Sequence, residues 1–182
     1  MYRWAWVKKA DVIQAADVFH IDPKGEKLVQ TALDYHGIPY LWGGASAKNL
    51  DCSGFVSNVY FMNGIQMPRD ADQQSFCGRE LTTEYTSAEL QEGDLLFFGR
   101  KGTAEEEERV SHVAIYIGTG EFIHAAGFRD RVGINSMDST QEHYIDTYPE
   151  IFVRATRIIG EDNQGFQPIS GNPYYKEIIK QN

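Results

Sequence analysis

The stretch VSHVAIYIGTGEFIHAAG, Val110 to Gly127, constrains the fold more than any other. Two runs of β-branched and aromatic residues flank Gly118-Thr119-Gly120, the pattern of an antiparallel hairpin. Each run carries one histidine among apolar neighbours, His112 and His124. A plain two-residue turn at Thr119-Gly120 sets His124 opposite Ile115 and sends His112 to the other face. A three-residue loop, or a bulge, sets His124 opposite Ala114, and both rings then share one face. Cooperation between the histidines therefore requires an odd loop or a bulge, and the two glycines permit either.

Around this hairpin the period changes along the chain. The first half carries helical spacing. Lys27–His36 is a predicted helix with Leu28, Ala32 and Leu33 on one face, ended by Gly37. A second is predicted over Cys52–Met62, with Phe55, Val56, Val59 and Met62 buried and Asn63-Gly64 as its stop. IPYLWGG between them reads as extended, and GIQMPRDADQQ as loop with a helical turn. The second half reads as strands: Gly93–Gly99, the hairpin, VGINSM, and Ile151–Ile159. Tyr2–Val12 alternates aromatic and polar residues like an edge strand, and the tail from Glu161 reads as linker with a last helical turn in YYKEIIKQN. Helices followed by a strand meander predict an α+β fold, with N-terminal helices packed on an antiparallel sheet.

The 182 residues suit one domain, and 42% hydrophobic residues with 13% aromatics are a globular composition. A net charge of -9 with no basic cluster argues against nucleic acid and anionic membranes. No stretch reaches the apolar length of a membrane span. The N-terminus lacks the apolar core of a signal peptide. The expected compartment is cytoplasmic if Met1 is the true start, and cell envelope or periplasm otherwise.

Of the two cysteines, Cys52 has a setting that suits chemistry. It opens a helix, where unpaired N–H groups and the helix dipole favour a thiolate. Asp51 or Asn49 can cap that helix, and Gly54 leaves room for a substrate backbone. Taken alone, Cys52 reads equally as a small buried hydrophobe, as Cys77 does. A nucleophilic cysteine also needs a base and a group that orients it. His20, His36 and His143 sit in polar contexts and read as surface residues. His112 as base and His124 as orienter complete the set, with the Cys52 N–H as oxyanion donor. A zinc site is the rival use of these residues, but compact ligand spacing is missing, so neither metal nor cofactor is expected.

Six blocks, YLWGG, DCSGF, MPRD, GDLLFF, SHVAIYIG and FIHAAG, occur in the order found in the NlpC-type cysteine peptidases, a papain-like family that cuts bacterial cell-wall peptides. The resemblance spans roughly Lys27–Ile159. It implies a papain-like NlpC fold with Cys52 as nucleophile, His112 as base and His124 as third polar residue. The chain further resembles the γ-D-glutamyl-L-diamino acid endopeptidases, such as dipeptidyl-peptidase VI. These release L-Ala-γ-D-Glu from peptidoglycan stem peptides with a free N-terminal L-alanine. That likeness implies substrate contacts at Tyr40, Trp42, Asp51, Ser53, Asp70 and Ala71, with Asp51 and Ser53 holding the amine. Trp42 reads equally as core under the glycines. Ala71 stands where a relative has serine, which removes a hydrogen bond. Residues 1–20 resemble the end of a bacterial SH3-like module, 24–160 the catalytic domain, and 161–182 a C-terminal tail. The rest of such a module, in the same or another chain, is an expected partner. An amidase or acyltransferase with the same site, or a non-catalytic muropeptide-binding module, are the alternative functions.

Overall fold

The computed structural model describes residues 6–12, 17, 21–162 and 164–180. Leu28 and Ala32, four residues apart and fully buried, anchor the first helix, α1 (Gly25–Asp34). It starts and ends two residues earlier than the spacing predicts. Leu33 is 36% exposed, because it lies roughly 140° around the axis from Leu28. A short hairpin, β1 (Ala45–Ser46) and β2 (Asn49–Leu50), then leads into α2 (Cys52–Met62). IPYLWGG forms single bridges, from Pro39 to Arg131 and from Tyr40 to Leu50, and then turns at Trp42-Gly43.

Phe55, Val56 and Val59 of α2 are fully buried, as their spacing predicts. Met62 is not: it is 39% exposed, at the last helical position, where the chain turns away through Gly64 with φ +84°. Tyr60 is buried in its place, and its hydroxyl donates to the Gly93 carbonyl at 2.5 Å. After β3 (Ile65–Gln66) and the one-turn helix α3 (Ala71–Gln74) comes the main sheet.

The sheet comprises β4 (Arg79–Thr82), β5 (Leu95–Arg100), β6 (Arg109–Gly118), β7 (Glu121–Ala126), β8 (Arg131–Ser136) and β9 (Phe152–Arg157). Its order is β4-β9-β5-β6-β7-β8, with every neighbouring pair antiparallel. The run LLFF in β5 is apolar throughout because this strand is buried on both faces. Leu95 and Phe97 join the core under α1 and α2, while Leu96 and Phe98 join a second core with Tyr148 and Phe152 on the opposite face. Tyr148 belongs to a one-turn helix, α4 (Tyr148–Ile151), that leads into β9. A buried ion pair ties the sheet's inner strands: Arg157 donates to both carboxylate oxygens of Asp94, at 2.8 and 2.7 Å.

The hairpin turn has a two-residue tip, Gly118 pairing Glu121, followed at once by a bulge at Ile117. Tyr116 then pairs Phe122 and Ile115 pairs Ile123. This is the bulged register, and it keeps His112 and His124 on one face.

Within 6–12 the chain makes a 3₁₀ turn at Lys9–Asp11 rather than an edge strand, and Trp6 is fully exposed. Residues 1–5 and His20 lie outside the described residues. The tail is docked rather than a free linker. β10 (Gln167–Pro168) pairs with β3, Phe166 and Ile169 are buried, and α5 (Pro173–Lys180) sets the Tyr175 ring 5.8 Å from that of Phe61. Among the described residues no helix is long and apolar enough to cross a membrane.

Candidate active site

Asp51 organises the start of α2. It is the N-cap: Oδ1 accepts from the Gly54 N–H at 2.7 Å and from the Ser53 hydroxyl at 3.2 Å, and Oδ2 accepts from the Gly43 N–H at 3.0 Å. Arg69 completes the cluster, donating to both Asp51 oxygens at 3.1 and 2.6 Å and to Ser53 Oγ at 2.9 Å. Sequence reasoning missed Arg69, although it lies inside the quoted block MPRD. Asp51 and Ser53 thus already hold a cation of this chain at the place expected for a substrate amine. A charge-assisted, two-pronged pair of this kind fixes geometry as well as charge. Gly54 needs correcting. A Cβ there would lie 2.2 Å from the Gly44 carbonyl oxygen. Its missing side chain admits the chain's own backbone, not that of a substrate.

The Cys52 thiol is 7% exposed and packs in the α2 core with Val110 and Val113. Burial pushes it up from its ordinary pKa, and the Asp51 charge adds to that. The N–H groups of Val113, Ser53 and Cys52 itself oppose the rise, since hydrogen bonds to a thiolate favour it. Val113 directly follows His112, so the sulfur lies against the backbone of β6 beside the candidate base. No hydrogen bond joins Cys52 to either histidine among the described residues.

His112 and His124 share the second core's face, where Nε2 of His112 lies 2.7 Å from Nδ1 of His124. The His112 ring packs on Phe98 and Tyr148. Burial pushes its pKa down to about 4. His124 is fully buried and also falls well below its ordinary value, through burial, then His112, with the Arg129 charge adding and Asn135 opposing. Tyr148 holds its hydroxyl 3.4 Å from His124 Nδ1. Burial raises that hydroxyl's pKa, with the Tyr85 charge next and the Cys52 charge a smaller contributor. Beyond His124, Asn135 of β8 places Oδ1 3.0 Å from Nε2, while its Nδ2 donates to the His143 carbonyl at 2.5 Å. Tyr148 and Asn135 escaped sequence reasoning because nothing local marks them.

A groove of about 340 Å³ opens over Cys52, lined also by Trp42, Asp51, Ser53, Asp70 and Ala71. Trp42 is 83% exposed, so it stands on the rim and is not core under the glycines. Tyr40 is half-buried against Gly127; burial and then the Cys52 and Asp51 charges raise its hydroxyl pKa, so it borders the same site. Asp70 caps α3 and is exposed, and Ala71 is buried. His112 and His124 do not line this groove, and hollows of about 430 and 500 Å³ elsewhere are lined by neither Cys52 nor the two histidines. Cys77 is buried, its thiol donates to the Gly165 carbonyl at 3.2 Å, and burial pushes its pKa up to about 11, so it stays inert. His36 is exposed, but His143 is half-buried and lies 2.7 Å from Glu121 Oε1. Among the described residues no group of three His, Cys, Asp or Glu converges to hold a metal ion.

The chain is 35% identical over 145 residues to a γ-D-glutamyl-L-lysine dipeptidyl-peptidase of Bacillus cereus, covering 79% of this chain and 41% of that protein. It is 38% identical over 120 residues to dipeptidyl-peptidase 6 of Lysinibacillus sphaericus, covering 65% and 39%. The crystal structure of an NlpC/P60 family protein from Bacillus cereus superposes with a TM-score of 0.63 at 33% identity, covering 76% of this chain and 41% of that one. The chain thus spans about two-fifths of the length of these relatives. The NlpC/P60 family matches residues 37–148, from Gly37 just after α1 to Tyr148 and through every residue that lines the groove, and the chain belongs to that family.

Proposed function

We propose that this chain is a cysteine peptidase that hydrolyses the γ-D-glutamyl bond to the diamino acid in peptidoglycan stem peptides, releasing L-Ala-γ-D-Glu. The observation that carries the reading is Cys52 at the start of α2, ringed by backbone N–H groups and set against β6 beside the hydrogen-bonded His112–His124 pair. In this reading His112 takes the thiol proton and the sulfur attacks the scissile carbonyl. The Cys52 N–H stabilises the oxyanion, His112 returns the proton to the leaving amine, and water releases the acyl group. Burial disfavours both charged partners separately, so the thiolate–imidazolium pair forms by mutual attraction as substrate seats. The names of the relatives support the bond and the substrate class. Trp42, Asp51, Ser53, Asp70 and Ala71 form the substrate side of the groove, and Tyr40 borders it. The substrate amine shares the Asp51–Ser53 cluster with Arg69.

The test is incubation with defined tri- and tetrapeptide stems, with and without a free N-terminal alanine, read by mass spectrometry. L-Ala-γ-D-Glu is the expected product from the free-amine stems. Cleavage elsewhere would favour an amidase or acyltransferase using the same site. Cys52→Ala abolishes hydrolysis while calorimetry still registers stem-peptide binding; full retained turnover would overturn the assignment.

A further inference from the structure

Asn135 is fully buried on β8, with each end of its amide committed. One end faces the His143 carbonyl, which is an acceptor only. The NH₂ group must therefore point there, whatever orientation is first assigned to the amide. The carbonyl it binds is itself fixed: it also accepts from the Ser136 N–H, and the His143 ring is held by Glu121. Oδ1 is thus forced toward His124 Nε2, 3.0 Å away, and that nitrogen must carry a proton.

We propose that Asn135 is a positioning residue of the site: its locked amide fixes His124 as the Nε2–H tautomer, so His112 donates from Nε2 and keeps Nδ1 as the nitrogen that takes the Cys52 proton. His124, with hydrogen on Nε2, offers a lone pair at Nδ1. His112 fills that lone pair with its Nε2–H across 2.7 Å, and the Tyr148 hydroxyl points at the same atom from 3.4 Å. In neutral His112 the remaining nitrogen, Nδ1, has no proton, and it has no hydrogen-bond partner among the described residues. When Nδ1 takes the thiol proton, the imidazolium keeps both N–H bonds, one still held by His124. The same Nδ1 proton then passes to the leaving amine. The reverse arrangement, with hydrogen on His124 Nδ1 and a lone pair on Nε2, would turn Oδ1 onto the His143 carbonyl and leave two acceptors face to face. A doubly protonated His124 is opposed by its burial and by His112 and Arg129 nearby.

The role of Asn135 in turnover rests on the proposed peptidase reading, but the tautomer assignment does not. ¹⁵N-histidine-labelled protein, read by multiple-bond ¹H–¹⁵N spectra at neutral pH, gives the tautomers directly without substrate. Nε2–H is expected at both His112 and His124; Nδ1–H at either overturns the proposal. The rate of Cys52 alkylation by iodoacetamide, with Cys77 as internal control, reads activation of the thiol by His112, again without substrate. In Asn135→Leu, the His124 signals should lose the fixed Nε2–H pattern. Cys52 alkylation should slow, and kcat on a cleavable stem peptide should fall about 10- to 100-fold with KM changed much less. A variant that folds and keeps both tautomers and its alkylation rate overturns the role. If Asn135→Leu does not fold, the wild-type spectra still decide. Failure of every stem peptide to be cut, with both Nε2–H signals present, would count against the peptidase reading and leave the tautomer assignment standing.

Discussion

Each polar side chain at the site is defined by what fills its second position. Asp51 caps α2 and also binds Arg69, so removing its charge acts on both helix and groove. His124 is held on one side by His112 and on the other by Asn135. Replacing His112 by alanine removes the base and should lower kcat/KM by roughly 10²- to 10⁴-fold. His124→Asn should cost less than His124→Ala, because an amide can still accept from the His112 N–H. Steady-state kinetics on one stem peptide ranks the three variants. Equal losses for His124→Asn and His124→Ala would show that orientation by this neighbour is immaterial.

The elements bring these residues together through close backbone approaches. The start of α2 lies against Gly44 because Gly54 has no side chain. Gly54→Ala drives a Cβ to 2.2 Å from the Gly44 carbonyl oxygen and 3.0 Å from Asp51 Oδ1. Overpacking of this kind costs about 1–3 kcal/mol, which corresponds to a melting-temperature drop of roughly 2–4 °C per kcal/mol in a domain of this size. Activity should fall by more than the stability loss accounts for, since the Asp51 cap moves with the helix start. Calorimetric melting beside residual kcat checks both. An unchanged melting temperature would mean that the two backbones separate freely. In the hairpin, the bulge at Ile117 lets a two-residue turn and a shared histidine face coexist.

Across the whole molecule, the sheet separates two cores, and the histidines lie in the second one while Cys52 lies in the first. Burying two neutral imidazoles ties stability to pH. His112 falls to about 4 when folded, and His124 also falls, against about 6.5 in the unfolded chain. The unfolded state therefore takes up protons first on acidification. The stabilisation is complete above about pH 6.5 and is lost progressively as pH falls toward and through 4, by up to roughly 3 kcal/mol from His112. Urea midpoints measured from pH 7.5 to 4 should drop more steeply in the wild type than in His112→Gln. Parallel curves would contradict the buried-neutral assignment. Breaking the Asp94–Arg157 pair, with side chains only 3% and 14% exposed, by Asp94→Ala should cost roughly 3–5 kcal/mol without moving the tautomers.

The cysteine at a helix start, the glycine-punctuated hairpin and the helices-then-strands order were legible locally, because period and turn chemistry act over a few residues. Leu33 and Met62 were misread because a stripe on paper does not say where the chain leaves the core. The docked tail escaped because its contacts, Ile169 in a small core and Tyr175 against Phe61, lie far away in sequence. The face of the histidines could not be read from the hairpin. Ile115 and Ile123 point into one core, Tyr116 and Phe122 into the other, so apolar residues on both faces fit either register. A shift of one residue exchanges the faces, and only the simultaneous packing of both cores selects the bulged pairing. By itself, then, the sequence determined the local elements and the Cys/His set. The tertiary structure decided which face the two histidines occupy, and it brought in Arg69, Tyr148 and Asn135, since hydrogen bonds between segments distant in sequence exist only once the chain has folded.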